Sequence, residues 1–263
     1  MPTRNLFLFL ALLASPFATL AQEPKPTPSA APEAEAAGPR TPVDGWGTAI
    51  NPAEDCAFKT QGSKLQIVVP GSKKPHDLGA EISSMTAPRV LQPITGDFRL
   101  EVRVDGEFQP GDVSTEQART GYSGAGLVVF ADLKNYVRIE RATLHSGGDV
   151  EHPYTNFEIR VNGAIERFGT TGDLPTEDGK PTWLRLERVG DQMLGSMSQD
   201  GVHWNYGNPK TLSPEIWNKE PLQVGVAAIS TSTMAFSPVY SEFSVKKLPK
   251  EEPEKPENKA EAK

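Results

Sequence analysis

Cysteine and long apolar runs are what this 263-residue chain has least of. Cys56 is the only cysteine, so no disulfide can form within the chain. A membrane-spanning helix needs about 20 consecutive apolar residues, and the longest apolar run, residues 6–14, is too short. The chain therefore depends on apolar burial for its stability, and we predict no membrane span.

Clustered positive charge is missing as well. The sequence has 34 acidic and 27 basic side chains, a formal net charge of -7, and its Lys and Arg residues are spread along the chain. Nucleic-acid binding usually requires a basic surface patch, so we expect no nucleic-acid partner. The excess of acidic residues favours solubility, and we predict a monomer.

The first 21 residues have the features of a secretory signal peptide. Arg4 precedes the apolar run, and small residues surround Ala21. We therefore predict cleavage near Ala21 and a secreted or periplasmic mature protein. Cys56 lies far beyond that position, whereas a lipid-anchoring cysteine would follow the cleavage site directly, so we interpret Cys56 as a small buried thiol.

Two segments have the composition of disordered chain. Residues 22–43 are rich in Pro, Ala and Glu, and residues 249–263 have a similar composition with more charge. Large apolar side chains are too few in either segment to offset the entropy of ordering. We predict a linker over residues 22–43, a single domain over residues 44–248 and a disordered charged tail over residues 249–263.

Alternation of apolar and polar residues dominates the predicted domain. In DFRLEVRV, NYVRIER, NFEIRV and WLRLERV the apolar residues fall at every second position, the pattern of half-buried β-strands. GAGLVVFA and VGVAAI are apolar nearly throughout, as expected for strands covered on both faces. LSPEIW predicts one short helical turn. Short strands separated by Gly, Pro and Asp turns predict an all-β fold, an antiparallel two-sheet β-sandwich of the jelly-roll type.

Four blocks of the sequence resemble a known family. In chain order they read APRVLQPITGDFRLEVRV, GAGLVVFADLKNYVRIER, TWLRLERVGDQMLGSMSQDGVHW and LQVGVAAISTS. Together they are similar to secreted concanavalin A-like lectin/glucanase domains, in particular to the group related to "regulation of enolase protein 1". The resemblance spans about residues 46–246 and implies a concanavalin A-like jelly roll. It leaves the function open, because that superfamily includes lectins, glycan hydrolases and non-catalytic modules.

Charged residues alternate with the apolar ones on the predicted strands. They are Arg99, Glu101, Arg103, Arg138, Glu140, Glu158, Arg160, Arg185 and Glu187. One interpretation is a solvated sheet face with cross-strand ion pairs, which also keeps the strands in register. The other is a concave face that binds a saccharide, where aromatic and amide groups join the charges. On that hypothesis the ligand-binding residues are Tyr136, Arg138, Glu140, Asn156, Glu158, Trp183 and Arg185.

The polar stretch HSGGDVEHPY joins two predicted strands. His145, Asp149 and Glu151 are candidate ligand contacts if this loop borders the concave face. Such side chains suit Ca²⁺ or a transition metal, but their spacing matches no metal motif. We therefore favour an ordinary polar loop and expect no cofactor. The long polar connection over residues 108–124 is interpreted as a flap near the ligand face.

The stretch SQDGVHW is interpreted as a hairpin. Asp200-Gly201 is a two-residue turn signal, so Trp204 is expected to begin the returning strand as a packing residue. His76 and His203 are isolated in the sequence, and neither is given a role.

The carboxylates do not have the spacing of a glycan hydrolase. Retaining glucanases of this architecture carry E-x-D-x-E or E-x-D-x-x-E on one strand, and neither spacing occurs here. Glu140 and Glu158 each have an arginine two residues away, which is expected to lower their pKa, whereas a general acid needs a raised pKa. We predict no catalytic residues and an exported, non-catalytic module that binds carbohydrate or another extracellular polymer. A sugar-processing enzyme and a structural or protein-interaction domain are the alternatives.

Overall fold

A computed structural model describes residues 38–117, 119–148, 150–167 and 173–249. The predicted signal peptide, residues 22–37 of the predicted linker, Asp149 and residues 250–263 of the predicted tail lie outside the described residues. No helix within the described ranges is long and apolar enough to cross a membrane.

Nineteen β-strands form within the described ranges. In chain order they are β1 (Arg40–Val43), β2 (Gly47–Ile50), β3 (Ala57–Gln61), β4 (Lys64–Val68), β5 (Leu78–Gly79), β6 (Ser84–Met85), β7 (Arg89–Ile94), β8 (Phe98–Asp105), β9 (Tyr122–Asp132), β10 (Asn135–His145), β11 (Glu151–Val161), β12 (Ala164–Arg167), β13 (Asp173–Pro175), β14 (Thr182–Val189), β15 (Gln192–Ser198), β16 (Asn205–Tyr206), β17 (Lys210–Thr211), β18 (Leu222–Ser230) and β19 (Val239–Lys247). A 3-10 turn covers Ala80–Ile82, and the short helix α1 covers Pro214–Trp217, at the predicted helical turn.

The strands build two large antiparallel sheets. Sheet A has the order β1-β2-β7-β18-β9-β10-β11-β12, with β13 paired to β11. Sheet B has the order β16-β15-β14-β8-β19-β4-β3, with β17 paired to β15, and β5 and β6 form a small separate ladder. This arrangement confirms the predicted all-β fold, an antiparallel two-sheet β-sandwich.

The main core lies between the two sheets and follows the alternation in the sequence. From sheet A it receives Val137 and Ile139 of β10, and from sheet B it receives Leu184 and Leu186 of β14. Each of these four side chains is almost completely buried, and burial of an aliphatic side chain contributes about 1.5–3 kcal/mol. The charged residues that alternate with them therefore lie on the outer faces of the sandwich.

A second, smaller core covers part of the outer face of sheet A. Val128 and Phe130 of β9 and Ile229 of β18 pack there with Leu78 from the segment that precedes the 3-10 turn. The central strands β9 and β18 are thus covered on both faces, which accounts for their nearly continuous apolar runs.

Strand β1 is formed by residues predicted to lie in the linker. Strand β1 pairs with β2 from Arg40↔Ile50 to Val43↔Gly47, so residues 40–43 of the predicted linker belong to sheet A. The backbone ladder and the burial of the Val43 side chain order this stretch, although its local composition is rich in Pro and polar residues.

Candidate functional site

The charged residues of the alternating strands divide between the two outer faces. Strand β8 pairs with β14 in sheet B, whereas β10 pairs with β11 in sheet A. Arg99, Glu101, Arg103, Arg185 and Glu187 therefore lie on the outer face of sheet B, and Arg138, Glu140, Glu158 and Arg160 lie on the outer face of sheet A.

The outer face of sheet B is a partly solvated ladder of ion pairs. Arg99 lies opposite Glu187 and Glu101 lies opposite Arg185 in the β8–β14 register. The Arg99 Nη2–Glu187 Oε1 distance is 2.7 Å and the Arg185 Nε–Glu101 Oε1 distance is 3.1 Å. This face matches the interpretation of a sheet surface held in register by cross-strand charges.

Trp183 and Arg185 therefore do not join the other predicted ligand-binding residues, and this placement corrects the predicted recognition face. The Arg103 guanidinium carbon lies over the Trp183 ring, 4.9 Å from the centre of that ring. Trp183 Nε1 donates a hydrogen bond to Glu242. Arg185 stacks on the Trp204 ring at 3.7 Å. Local alternation assigned these side chains to an outer face, but the face belongs to the other sheet.

On sheet A the charges form a buried network around Arg138. Its Nε contacts Glu140 Oε1 at 3.1 Å and also pairs with Glu158 Oε1, while Arg160 Nη1 lies 2.8 Å from Glu158 Oε1. The exposed fractions of Arg138, Glu140, Glu158 and Arg160 are only 7%, 1%, 1% and 2%. Buried charges require such partners because water no longer solvates them.

Neutral side chains complete the surroundings of Glu140. Its Oε1 accepts hydrogen bonds from Tyr122 OH at 2.6 Å and from Asn156 Nδ2 at 3.0 Å. Gly124 leaves space for this carboxylate, since a Cβ at that position would lie 2.7 Å from Glu140 Oε2.

The two glutamates have opposite pKa shifts. Burial alone would raise the pKa of Glu158, but Arg138 and Arg160 on either side of it bring the pKa below its ordinary value. Burial raises the pKa of Glu140 despite Arg138, because the Glu158 charge beside it opposes ionisation. The expectation of a lowered pKa thus agrees with Glu158 and is corrected for Glu140.

A chain of ion pairs connects this network to the segments that lie over the sheet. Arg160 Nε lies 2.9 Å from Glu81 Oε2 on the 3-10 turn. Arg119, from the long connection before β9, bridges Glu81 at 3.1 Å and Asp77 at 3.5 Å. Burial raises the pKa of Asp77 to about 6, although Arg138 and Arg119 oppose the rise.

These segments and the sheet enclose a pocket of about 430 Å³. Its lining consists of Asp77, Glu81, Arg119, Thr120, Tyr122, Arg138, Leu144, Tyr154, Asn156, Glu158, Arg160, Ile165 and Thr231. Charged side chains lie together with Tyr122, Leu144, Tyr154 and Ile165, and each lining carboxylate is paired with an arginine. A lining of this kind has the chemical groups that suit a molecule with both hydroxyl groups and apolar faces.

Three of the predicted ligand-binding residues, Arg138, Asn156 and Glu158, line this pocket. Glu140 lies behind them, in contact with Arg138 and Asn156. Tyr136 shares their face but does not line the pocket: it is completely buried, and its hydroxyl donates to Leu78 O at 2.6 Å. Burial also raises the pKa of Tyr136 to about 12.

Other lining residues had weaker signals in the sequence, or none. Arg160 belongs to the alternating charges, and Arg119 and Thr120 belong to the connection interpreted as a flap. Asp77 and Glu81 lie in a segment whose sequence has no regular pattern, so nothing local indicates that they approach sheet A.

His145 and Glu151, at the ends of the loop between β10 and β11, are not among the residues that line the pocket. His145 Nδ1 is 3.3 Å from Glu151 Oε1, which also accepts a hydrogen bond from the Gly111 backbone N–H at 3.2 Å. Asp149, the third candidate contact, lies outside the described residues. Three side chains with metal-ligating atoms instead converge at Asp55, Cys56 and His76.

Two further predictions from the sequence need correction or refinement. The Asp200-Gly201 turn is not a two-residue hairpin, because β15 ends at Ser198 and β16 begins at Asn205. Asp200 Oδ1 accepts hydrogen bonds from the backbone N–H groups of Val202 and His203, and these bonds support a longer turn. Cys56 is half-buried, and burial raises the pKa of its thiol to about 12.

Comparisons with known proteins identify the fold. No protein-family model matches the chain, and neither does any curated protein. A functionally unknown protein from Saccharomyces cerevisiae is similar in structure, with a TM-score of 0.57 and 16% identity over 78% of this chain and 97% of that one. A GH43 protein from Bacillus licheniformis has a TM-score of 0.56 and 15% identity, over 82% of this chain and 39% of that one.

A xylan beta-1,4-xylosidase from Bacillus halodurans gives a TM-score of 0.50 and 13% identity, over 73% of this chain and 38% of that one. The chain thus spans about two fifths of the length of these two bacterial proteins. At such identities the likeness shows a shared β-sandwich fold.

Proposed function

We propose that the chain is an exported, non-catalytic module that binds carbohydrate in the pocket on the outer face of sheet A. The observation that carries this proposal is the mixed lining of the pocket. The partly exposed Arg119 offers donors for sugar hydroxyls, and Tyr154 and Ile165 offer apolar surface for a ring face.

Binding is favoured over catalysis by the state of the carboxylates. Glu81 and Glu158 are each paired with an arginine and have lowered pKa values, which favours the ionised form and opposes proton donation. Asp77 is paired with Arg119, although burial raises its pKa to about 6. Glu140 has the raised pKa of a general acid, but it is almost completely buried behind Arg138 and Asn156.

The test compares two matched arginines on opposite faces. Arg119 lines the pocket, is 39% exposed and pairs with Asp77 and Glu81. Arg103 lies on sheet B, is 33% exposed and pairs with Asp105 and Glu242. Isothermal titration of the full chain against a panel of plant and microbial polysaccharides should show at least tenfold weaker binding for Arg119→Ala, and unchanged binding for Arg103→Ala. Equal affinities of the two variants would remove the pocket from consideration.

A sugar-processing enzyme is the second candidate, because Glu140 and Glu158 touch the same arginine and have opposite pKa shifts. Such a split is typical of acid and base pairs in hydrolases. Chromatography of the glycans after incubation decides between the two: intact glycans support a binding module, and cleavage that is lost in Glu140→Gln supports an enzyme.

The wider context is part of the same proposal. The predicted signal peptide supports export, and the four sequence blocks support kinship with the group related to "regulation of enolase protein 1". The partner is then an extracellular polymer, and the module acts as a monomer. Recovery of a specific protein, and of no glycan, from an extracellular fraction would favour the protein-interaction alternative.

A further inference from the structure

A second cluster, of side chains with metal-ligating atoms, lies at the loops before β3 and β5. Asp55 and Cys56 precede β3, and His76 precedes β5. Their ligating atoms all lie within 4.8 Å of one another. The His76 Nε2–Asp55 Oδ1 distance is 2.8 Å, and the Cys56 Sγ–Asp55 Oδ1 distance is 3.5 Å.

The chemistry of this cluster suits zinc. Thiolate, imidazole and carboxylate are the usual Zn²⁺ ligands, and the bond lengths of tetrahedral zinc place ligand atoms about 3.3–3.8 Å apart. The 2.8 Å and 3.5 Å separations lie close to that range, and the remaining one is at most 4.8 Å. Ca²⁺ and Mg²⁺ prefer all-oxygen sites, which this cluster does not offer.

The backbone around two of the ligands is already fixed. His76 is 1% exposed, and it exchanges backbone hydrogen bonds with Ser230, at 2.9 Å and 2.8 Å. The Asn51 side chain donates to Cys56 O at 2.9 Å and accepts from the Cys56 N–H at 3.4 Å. A metal therefore meets ligands that lose little conformational freedom on binding.

The cluster also has an opening. Cys56 and Asn51 line a pocket of about 350 Å³ bordered by Thr41, Ala49 and Phe58. This pocket gives an ion a route to the thiol and leaves room for a water molecule as fourth ligand.

We propose that Asp55, Cys56 and His76 bind a Zn²⁺ ion. As the sulfur–zinc bond forms, the Cys56 thiol proton passes to solvent, and the ion replaces the hydrogen bonds that now join the three side chains. The ion then links the loop before β3 to the segment that continues into Asp77 and Leu78, over sheet A.

The direct test uses Co²⁺ as a spectroscopic substitute in the full chain after treatment with a chelator. We expect one equivalent of Co²⁺ to produce the near-ultraviolet charge-transfer band of a cobalt–thiolate bond, and Zn²⁺ to displace it. Since Cys56 is the only cysteine, the band reports this site alone. Absence of the band at saturating Co²⁺ would overturn the proposal.

Zinc titrations of variants give a second readout. Cys56→Ser, at a half-buried position, should weaken Zn²⁺ binding at least tenfold and abolish the rise in Tm that zinc causes in the wild-type chain. Lys74→Met should tighten binding several-fold, because Lys74 Nζ lies 3.7 Å from Asp55 Oδ2 and competes with a cation.

The control is the exposed histidine–aspartate pair elsewhere in the chain. His203 Nδ1 lies 2.7 Å from Asp200 Oδ2, and the His203 side chain is 87% exposed. His203→Gln should leave zinc binding unchanged. Equal Zn²⁺ affinity of the wild type and Cys56→Ser, or a tenfold loss in His203→Gln, would assign the binding to the surface and overturn the site.

Discussion

Arg138 contacts two buried glutamates whose surroundings differ at the level of single atoms. Glu158 also pairs with Arg160, so two guanidinium groups stabilise its charge. Glu140 shares Arg138 with Glu158, and its remaining partners are the neutral Tyr122 and Asn156. The ionised form is therefore better stabilised at Glu158 than at Glu140.

Replacing each glutamate by glutamine should separate these contributions. Removal of one member of a buried ion pair typically costs about 3–5 kcal/mol, and we expect Glu158→Gln to lower the free energy of unfolding by about 3 kcal/mol. Glu140→Gln should cost about 1 kcal/mol, because the amide oxygen can still accept from Tyr122 and Asn156. Urea denaturation at neutral pH measures both values, and an equal or larger cost for Glu140→Gln would contradict this account.

At the scale of elements, the β8–β14 ladder is held by charges that remain partly in water. The Arg185–Glu101 pair is expected to couple by about 0.2–1 kcal/mol, much less than the pairs on sheet A. A double-mutant cycle with Arg185→Ala and Glu101→Ala isolates this term, since Arg185 also stacks on Trp204. The coupling should shrink at high salt. A coupling above about 2 kcal/mol that salt does not change would indicate a buried pair.

Alternation predicts the faces of these elements but not their neighbours. The inward direction of Val137, Ile139 and Leu186 follows from a period of two residues, which is a local property. Which sheet a strand joins depends on pairing between distant segments, so Trp183 was grouped with Arg138 although they lie on different sheets. Whether other segments cover the outer face of a sheet also depends on contacts between residues that are distant in the sequence. The alternation therefore did not predict that Glu140 and Glu158 are buried.

At the scale of the whole molecule, the two outer faces of the sandwich differ in their contact with water. Sheet B exposes much of its ion-pair ladder, whereas the segment around Leu78 and the connection with Arg119 cover the charges of sheet A. Buried ionisable groups couple folding to protonation more strongly than exposed ones. We therefore expect the buried network on sheet A to contribute more to the pH dependence of the free energy of unfolding than the ion-pair ladder on sheet B.

The two glutamates should impose pH dependences of opposite sign on the stability of the molecule. Glu158 has a lowered pKa, so its stabilising contribution is complete above the unfolded value of about 4.5 and is lost as the pH falls through its folded pKa. Glu140 has a raised pKa: the folded state keeps its proton longer, and the free energy of unfolding falls as the pH rises through and above 4.5.

Urea denaturation across acid and neutral pH tests these signs. The free energy of unfolding of the wild type should exceed that of Glu158→Gln by less at acid pH than at neutral pH. Relative to Glu140→Gln, the wild type should lose free energy of unfolding as the pH rises. Glu107→Gln, at an exposed position outside this network, is the control for the substitution itself and should change the free energy of unfolding at neutral pH by less than about 0.5 kcal/mol. If the difference in free energy of unfolding between wild type and variant changed with pH in the same direction for both glutamates, their pKa values would not be shifted in opposite directions. Linkage requires opposite slopes from opposite pKa shifts.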